Sequence, residues 1–164
     1  MRVDVRQATR LEYPVVERMM ELYEHDFSEF DDKDLGDDGL YHYLDLDSYW
    51  SDATQAAYVV TVDGKWAGFC LTSSEVRVAG SERSIDEMFV VRKYRRRGVG
   101  RQVATAVCEH TPARWEVRIH IRNEPAAVFW RKVIAGYTGG AFHDVPLVDD
   151  PWHRAIFTFD SRHR

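Results

Sequence analysis

The sequence predicts an α/β domain built on a mixed β-sheet. Three observations carry this: short runs that alternate apolar and polar residues, longer stretches whose apolar residues recur at helical spacing, and turn residues between them. Residues 3–8 alternate and read as a first strand. Within 11–30, Val15, Val16, Met19, Leu22, Tyr23 and Phe30 share one helical face. Residues 31–47 are rich in Asp and Gly, a loop or a broken second helix, with Tyr41, Tyr43, Tyr49 and Trp50 in and after it. Residues 57–62 and 66–72 are β-rich runs joined by Asp63-Gly64-Lys65, a hairpin signal because Asp-Gly accepts the positive φ of a tight turn. Residues 85–91 form a third apolar run, interrupted by Asp86 and Glu87.

A helix is expected over about 99–110, with Val99, Val103, Ala106 and Val107 inward and Thr111-Pro112 ending it. In 115–121, Trp115, Val117, Ile119 and Ile121 face one way and Glu116, Arg118 and His120 the other, a half-buried strand. Asn123 is a good N-cap and Pro125 suits a first turn, so a helix follows with Ala126, Ala127, Phe129, Trp130, Val133 and Ile134 as its apolar residues. Residues 142–147 and 155–159 close the chain as two strands.

The 164 residues suit one domain, 1–164, with no linker or repeat, and 45% hydrophobic against 30% charged residues is the balance of a folded, soluble chain. The first residues form no secretory signal, and no window approaches the roughly 18 apolar residues of a membrane span, which predicts a cytoplasmic protein without a membrane partner. Cys70 and Cys108 read as reduced, buried side chains. The seven histidines (25, 42, 110, 120, 143, 153 and 163) show no metal-ligand spacing, so no metal is expected. Charge is uneven. Residues 21–52 hold twelve acids against Lys33 alone, while residues 92–101 hold six bases and no acid. One pole suits cations and the other phosphate.

The basic pole carries the informative motif. In Met88-Phe89-Val90-Val91-Arg92-Lys93-Tyr94-Arg95-Arg96-Arg97-Gly98-Val99-Gly100-Arg101, a strand runs into a glycine-containing turn that opens a helix. The free amides of a helix N-terminus bind an anion, and flanking arginines add charge. A dinucleotide fingerprint fails because Val103 stands where Gly or Ala is needed, and a P-loop fails for want of Gly-Lys-Ser/Thr. Nucleic acid is disfavoured by the acidic whole chain and the lack of a second basic face.

These residues resemble the GNAT superfamily of acyl-CoA N-acyltransferases, whose pyrophosphate signature Arg/Gln-x-x-Gly-x-Gly/Ala is matched by Arg95-Arg96-Arg97-Gly98-Val99-Gly100 after Val90. A second motif is matched by Asn123, Ala126 and Trp130, and the order of elements agrees over essentially the whole chain. The resemblance implies a mixed, mostly antiparallel sheet of about seven strands with helices on both faces and a splayed strand pair that binds acyl-CoA. It places Met88, Phe89 and Val90 on the pantetheine arm, the loop residues Arg95, Arg96, Arg97, Gly98, Val99, Gly100 and Arg101 on the pyrophosphate, and Asn123 and Trp130 on the opposite wall. Acetyl-CoA is the implied co-substrate and an amine the implied acceptor, with a homodimer left open.

Acyl transfer to an amine needs a base, and Asp86 and Glu87 stand where relatives carry an acidic pair. Strand alternation sends them to opposite faces unless a bulge intervenes, and Asp86 is slightly preferred because it shares parity with Met88 and Val90. Trp130 occupies the place of a tyrosine that many relatives use to protonate the leaving thiolate, and an indole cannot do so. That departure motivates an alternative reading as a catalytically weak acyl-CoA sensor. The resemblance places the acceptor side in the acidic segment, with Tyr41, Tyr43, Tyr49 and Trp50, and in residues 143–153; aromatic faces and carboxylates suit a cationic amine.

Overall fold

The structure, a computed structural model, describes residues 1–148 and 150–162; residues 149, 163 and 164, and with them His163, lie outside the described part. Its elements in chain order are β1 (Val3–Gln7), α1 (Tyr13–Asp31), α2 (Ser48–Ser51), β2 (Ala56–Val62), β3 (Lys65–Ser73), β4 (Arg83–Val90), α3 (Val99–His110), β5 (Arg114–His120), α4 (Glu124–Thr138), β6 (Phe142–Pro146) and β7 (His153–Asp160). The seven strands form one sheet in the order β1-β2-β3-β4-β5-β7-β6. Every neighbouring pair is antiparallel except β4 with β5. This is the mixed sheet that the residue patterns predict, and the mostly antiparallel order with helices on both faces that the family resemblance implies. Strand β5 ends one residue before the predicted Ile121, which is exposed.

Alternation builds the two faces. Tyr58, Val60 and Val62 of β2 join Trp115, Val117 and Ile119 of β5 under α3 and α4, while Ala57 and Val59 join Phe69, Leu71 and Phe89 under α1. The apolar stripe of α1 delivers Val16, Met19 and Met20 to that second core. Asp63 (φ 50°) and Gly64 (φ 73°) make the two-residue β2–β3 turn, pairing Val62 with Lys65. On β5 the fully buried Glu116 accepts the amides of Arg77 and Val78, at 2.9 and 3.0 Å, and so pins the loop between β3 and β4. Among the described residues no helix is long and apolar enough to cross a membrane.

Two irregularities in the sheet position the site. The pairing of β4 with β5 stops after Ile85↔Val117, so from Asp86 to Val90 the edge of β4 has no strand partner on that side and the strands diverge. On its other side β4 skips a residue: Leu71 pairs Glu87 but Thr72 pairs Ile85, leaving Asp86 as a bulge.

Strand β3 approaches β4 unusually closely at Gly68, where a Cβ would lie 2.0 Å from the Phe89 carbonyl oxygen. Gly68→Ala should therefore push the two strands apart and cost about 3 kcal/mol, as overpacking against unyielding backbone does. A denaturant midpoint unchanged from wild type would contradict this.

Candidate active site

Where β4 and β5 part, a cavity of about 590 Å³ opens, lined by residues of both strands, α1, α4 and the loop before α2. Of the residues singled out in the sequence, Tyr43, Tyr49, Asp86, Glu87, Met88, Asn123, Ala126 and Trp130 line it, as does His120. The bulge decides which acid enters. Without it, Asp86 and Glu87 would face opposite sides; with it, both reach the cavity, which corrects the expectation that alternation admits only one.

Glu87 accepts the Tyr23 hydroxyl, from α1, on one oxygen and the Tyr43 hydroxyl at 3.2 Å on the other. Burial pushes its carboxyl up to about 7, with the neighbouring Asp86 charge adding and the two phenols opposing. Asp86 accepts Tyr49 at 3.0 Å and forms an ion pair with Arg118 at 2.9 Å; Arg118 also bonds Ser84 at 3.2 Å. The two carboxylates therefore have different environments: Asp86 has an arginine partner, Glu87 only neutral phenols. Burial raises the phenols of Tyr23, Tyr43 and Tyr49 above the ordinary tyrosine range, so they act as hydrogen-bond donors and not as acids. Burial, and then Arg122, lowers His120.

The glycine turn lies at the end of β4. Arg96 (φ 59°) and Gly98 (φ 79°) are left-handed, and Gly98 is the residue before the first turn of α3. The first backbone bond into α3 is Gln102 N–H to the Gly98 carbonyl at 3.1 Å, so the amides of Val99, Gly100 and Arg101 precede the helical ladder. Gly100 has a packing reason instead: its Cβ would lie 3.1 Å from the Phe129 ring of α4. Asn123 caps α4, its Oδ1 accepting the Ala126 amide at 3.0 Å. Unpaired β4 edge, glycine turn and capped α4 are together a shape and donor set that fit a thioester carrying a pantetheine arm and a pyrophosphate. Phe89 faces the α1 core, and the Val90 carbonyl is bonded by Arg95 Nε at 2.6 Å.

Two residues predicted for the acceptor side stand elsewhere. Trp50 packs on Tyr13 and donates Nε1 to the Thr9 carbonyl at 3.0 Å, while Tyr41 lies against Ser28 and His25 outside the cavity. Several acids of the 21–52 segment already have partners: Glu21 holds the Tyr41 and His42 amides, Asp32 pairs Arg122, Asp38 pairs His42 and Asp47 pairs Arg10. Of that segment's acids, the cavity receives only Glu24, already paired to Lys33 at 2.6 Å, and Asp31. The bonds of Tyr23 and Tyr43 to Glu87 are not foreseen from the sequence, which reads Tyr23 as core and Tyr43 only as an acceptor-side aromatic. Tyr23 sits on a helical apolar stripe and Tyr43 is one of four clustered aromatics, so neither carries a local mark of a bond to Glu87.

A family model described as "Acetyltransferase (GNAT) family" matches residues 16–157. Among solved structures, an acetyltransferase from Thermus thermophilus superposes with TM-score 0.72 at 15% identity, covering 98% of this chain and 97% of its own. A Bacillus anthracis protein in complex with acetyl coenzyme A gives 0.60 at 16% identity, over 98% and 99%. The ribosomal-protein-S18-alanine N-acetyltransferase of Escherichia coli gives 0.56 at 13%, over 97% and 94%. Comparison with curated proteins gives no match.

Proposed function

Because this chain belongs to the GNAT acetyltransferase family, we propose that residues 1–164 act as one domain that moves an acetyl group from acetyl-CoA to a primary amine. The observation that carries this reading is the partly buried Glu87 at the splayed edge of β4, its carboxyl near 7 and its oxygens held by two phenols. A base with that affinity for protons is half ionised near neutrality, where it accepts a proton without being permanently protonated.

The thioester supplies an activated acyl carbon and a thiolate leaving group. Glu87 takes a proton from the incoming ammonium, directly or through water, leaving a neutral amine to attack. The amides along the unpaired edge of β4 offer donors to the thioester oxygen as charge develops there. Asp86, paired to Arg118, orients Tyr49 on the cavity wall. Trp130 and the high phenols offer no acid to the departing sulfur, so CoA leaves as a thiolate, tolerable for a thiol of pKa about 8.5. The proton taken by Glu87 goes to solvent, and the second amine proton, lost as the tetrahedral adduct collapses to the amide, passes through water to the departing thiolate or to solvent.

Thermal-shift measurements with acetyl-CoA, NAD and ATP test the donor. Stabilisation by acetyl-CoA alone is expected, and stabilisation by NAD alone would overturn the reading. Release of free thiol from acetyl-CoA with a panel of amines, polyamines and peptides then tests turnover. Tight acetyl-CoA binding without thiol release across the panel would favour the sensor reading that Trp130 motivates.

A further inference from the structure

One carboxylate on α1 reaches the basic turn from outside the cavity. Asp26 lies three residues beyond Tyr23; its Oδ1 accepts Arg92 Nη2 at 2.6 Å and Nε at 3.2 Å, and its Oδ2 pairs with Arg95. Burial opposes its ionisation, but hydrogen bonds from the two arginines hold its carboxyl below the usual range. Arg95 is further tied down: its Nε donates to the Val90 carbonyl at 2.6 Å and its guanidinium lies 5.5 Å from the centre of the Phe89 ring. The first residue of the Arg-x-x-Gly-x-Gly motif is thus held at three points, by α1, by the last carbonyl of β4 and by an aromatic face. The next residue, Arg96, turns the chain left-handed and sends the amides of 97–101 on their course.

We propose that Asp26 is a positioning residue for the phosphate-binding turn. By gripping Arg92 and Arg95 it fixes the direction in which the turn leaves β4, and so the direction its amides present to the pyrophosphate. The inference rests on the reading of acetyl-CoA as donor. It also makes a prediction of sign. If Asp26 acted only through its charge, an anion beside a phosphate site would weaken CoA, and removing it would tighten binding. A brace predicts the opposite, because a neutral asparagine no longer fixes two cationic forks.

CoA binding is measured by calorimetry for wild type, Asp26→Asn and Asp26→Glu, with denaturant midpoints alongside. Asp26→Asn should weaken CoA about tenfold. Asp26→Glu, which keeps the charge but moves the carboxylate by a methylene, should weaken it about threefold. Turnover of a short acetyl thioester lacking the nucleotide should be unchanged in both, since the base and its phenols do not depend on the turn. A double-mutant cycle with Arg95→Gln should be non-additive, the second change adding little once the brace is gone. Unchanged or tighter CoA binding in Asp26→Asn overturns the proposal, as does equal loss with the short thioester. If Asp26→Asn does not fold, Asp26→Glu alone decides: binding equal to wild type overturns the brace. A wild-type protein that binds no CoA overturns the donor reading instead.

Discussion

Replacing Glu87 by glutamine should lower kcat by about 10²- to 10⁴-fold, the usual worth of a positioned general base. CoA affinity should stay within about twofold, because Glu87 lies in the cavity and not at the glycine turn. In the wild type, kcat/KM should rise with pH as the carboxyl loses its proton and level off above about 7. That limb should be missing in Glu87→Gln. The same shift has a consequence for stability whose sign follows from linkage. Burial raises the folded-state value above the ordinary glutamate range, so the native protein holds this proton more tightly than the unfolded chain does. The stability associated with it is present in full below about 4.5 and is lost as pH rises through about 7. Glu87→Gln should therefore match wild type near pH 5 in rough terms and exceed it at pH 8.5, by up to about 3 kcal/mol. Denaturant midpoints of the two proteins at both pH values decide this. A gap that does not widen with pH, or a variant that keeps wild-type turnover, would remove Glu87 from the role of base.

The second large effect is expected at the glycine turn. Gly98→Asp should weaken CoA by about 10²-fold or more, because a like charge set beside the pyrophosphate costs several kcal/mol. The fold should survive the change. No atom lies within 4 Å of a Cβ at this position, and aspartate is among the side chains that tolerate the left-handed region, so the backbone cost is about 1 kcal/mol. The amides of Val99, Gly100 and Arg101 would then face a resident carboxylate instead of a phosphate. Gly98→Ala should weaken CoA far less. Acetyl transfer from a thioester without the nucleotide should be unaffected by Gly98→Asp, which separates loss of the phosphate site from loss of the fold. CoA binding that survives Gly98→Asp would mean that the anion site lies elsewhere.

The sequence by itself determined the order and type of the main elements. It did so because each carries its own period and its own stop signal: the strict alternation of Trp115, Val117 and Ile119, the cap at Asn123, and the Asp63-Gly64 turn all act within a few residues. The glycine turn was legible for the same reason, since Gly98 answers to a local φ. What only the tertiary structure decided is who meets in the cavity. A single skipped residue opposite Leu71 and Thr72 of the partner strand brings Asp86 and Glu87 to one side, and this bulge has no glycine to mark it in the sequence. Tyr23 and Tyr43 reach Glu87 across 64 and 44 residues of chain, and Asp26 reaches Arg95 across 69. The acidic segment shows the same limit from the other side. Its twelve acids suggest a cation-attracting mouth, yet the fold already pairs Glu21, Glu24, Asp26, Asp32, Asp38 and Asp47 among them with amides or cations. Charge along a chain is additive and can be counted, whereas pairing depends on distances that only the folded sheet and helices set.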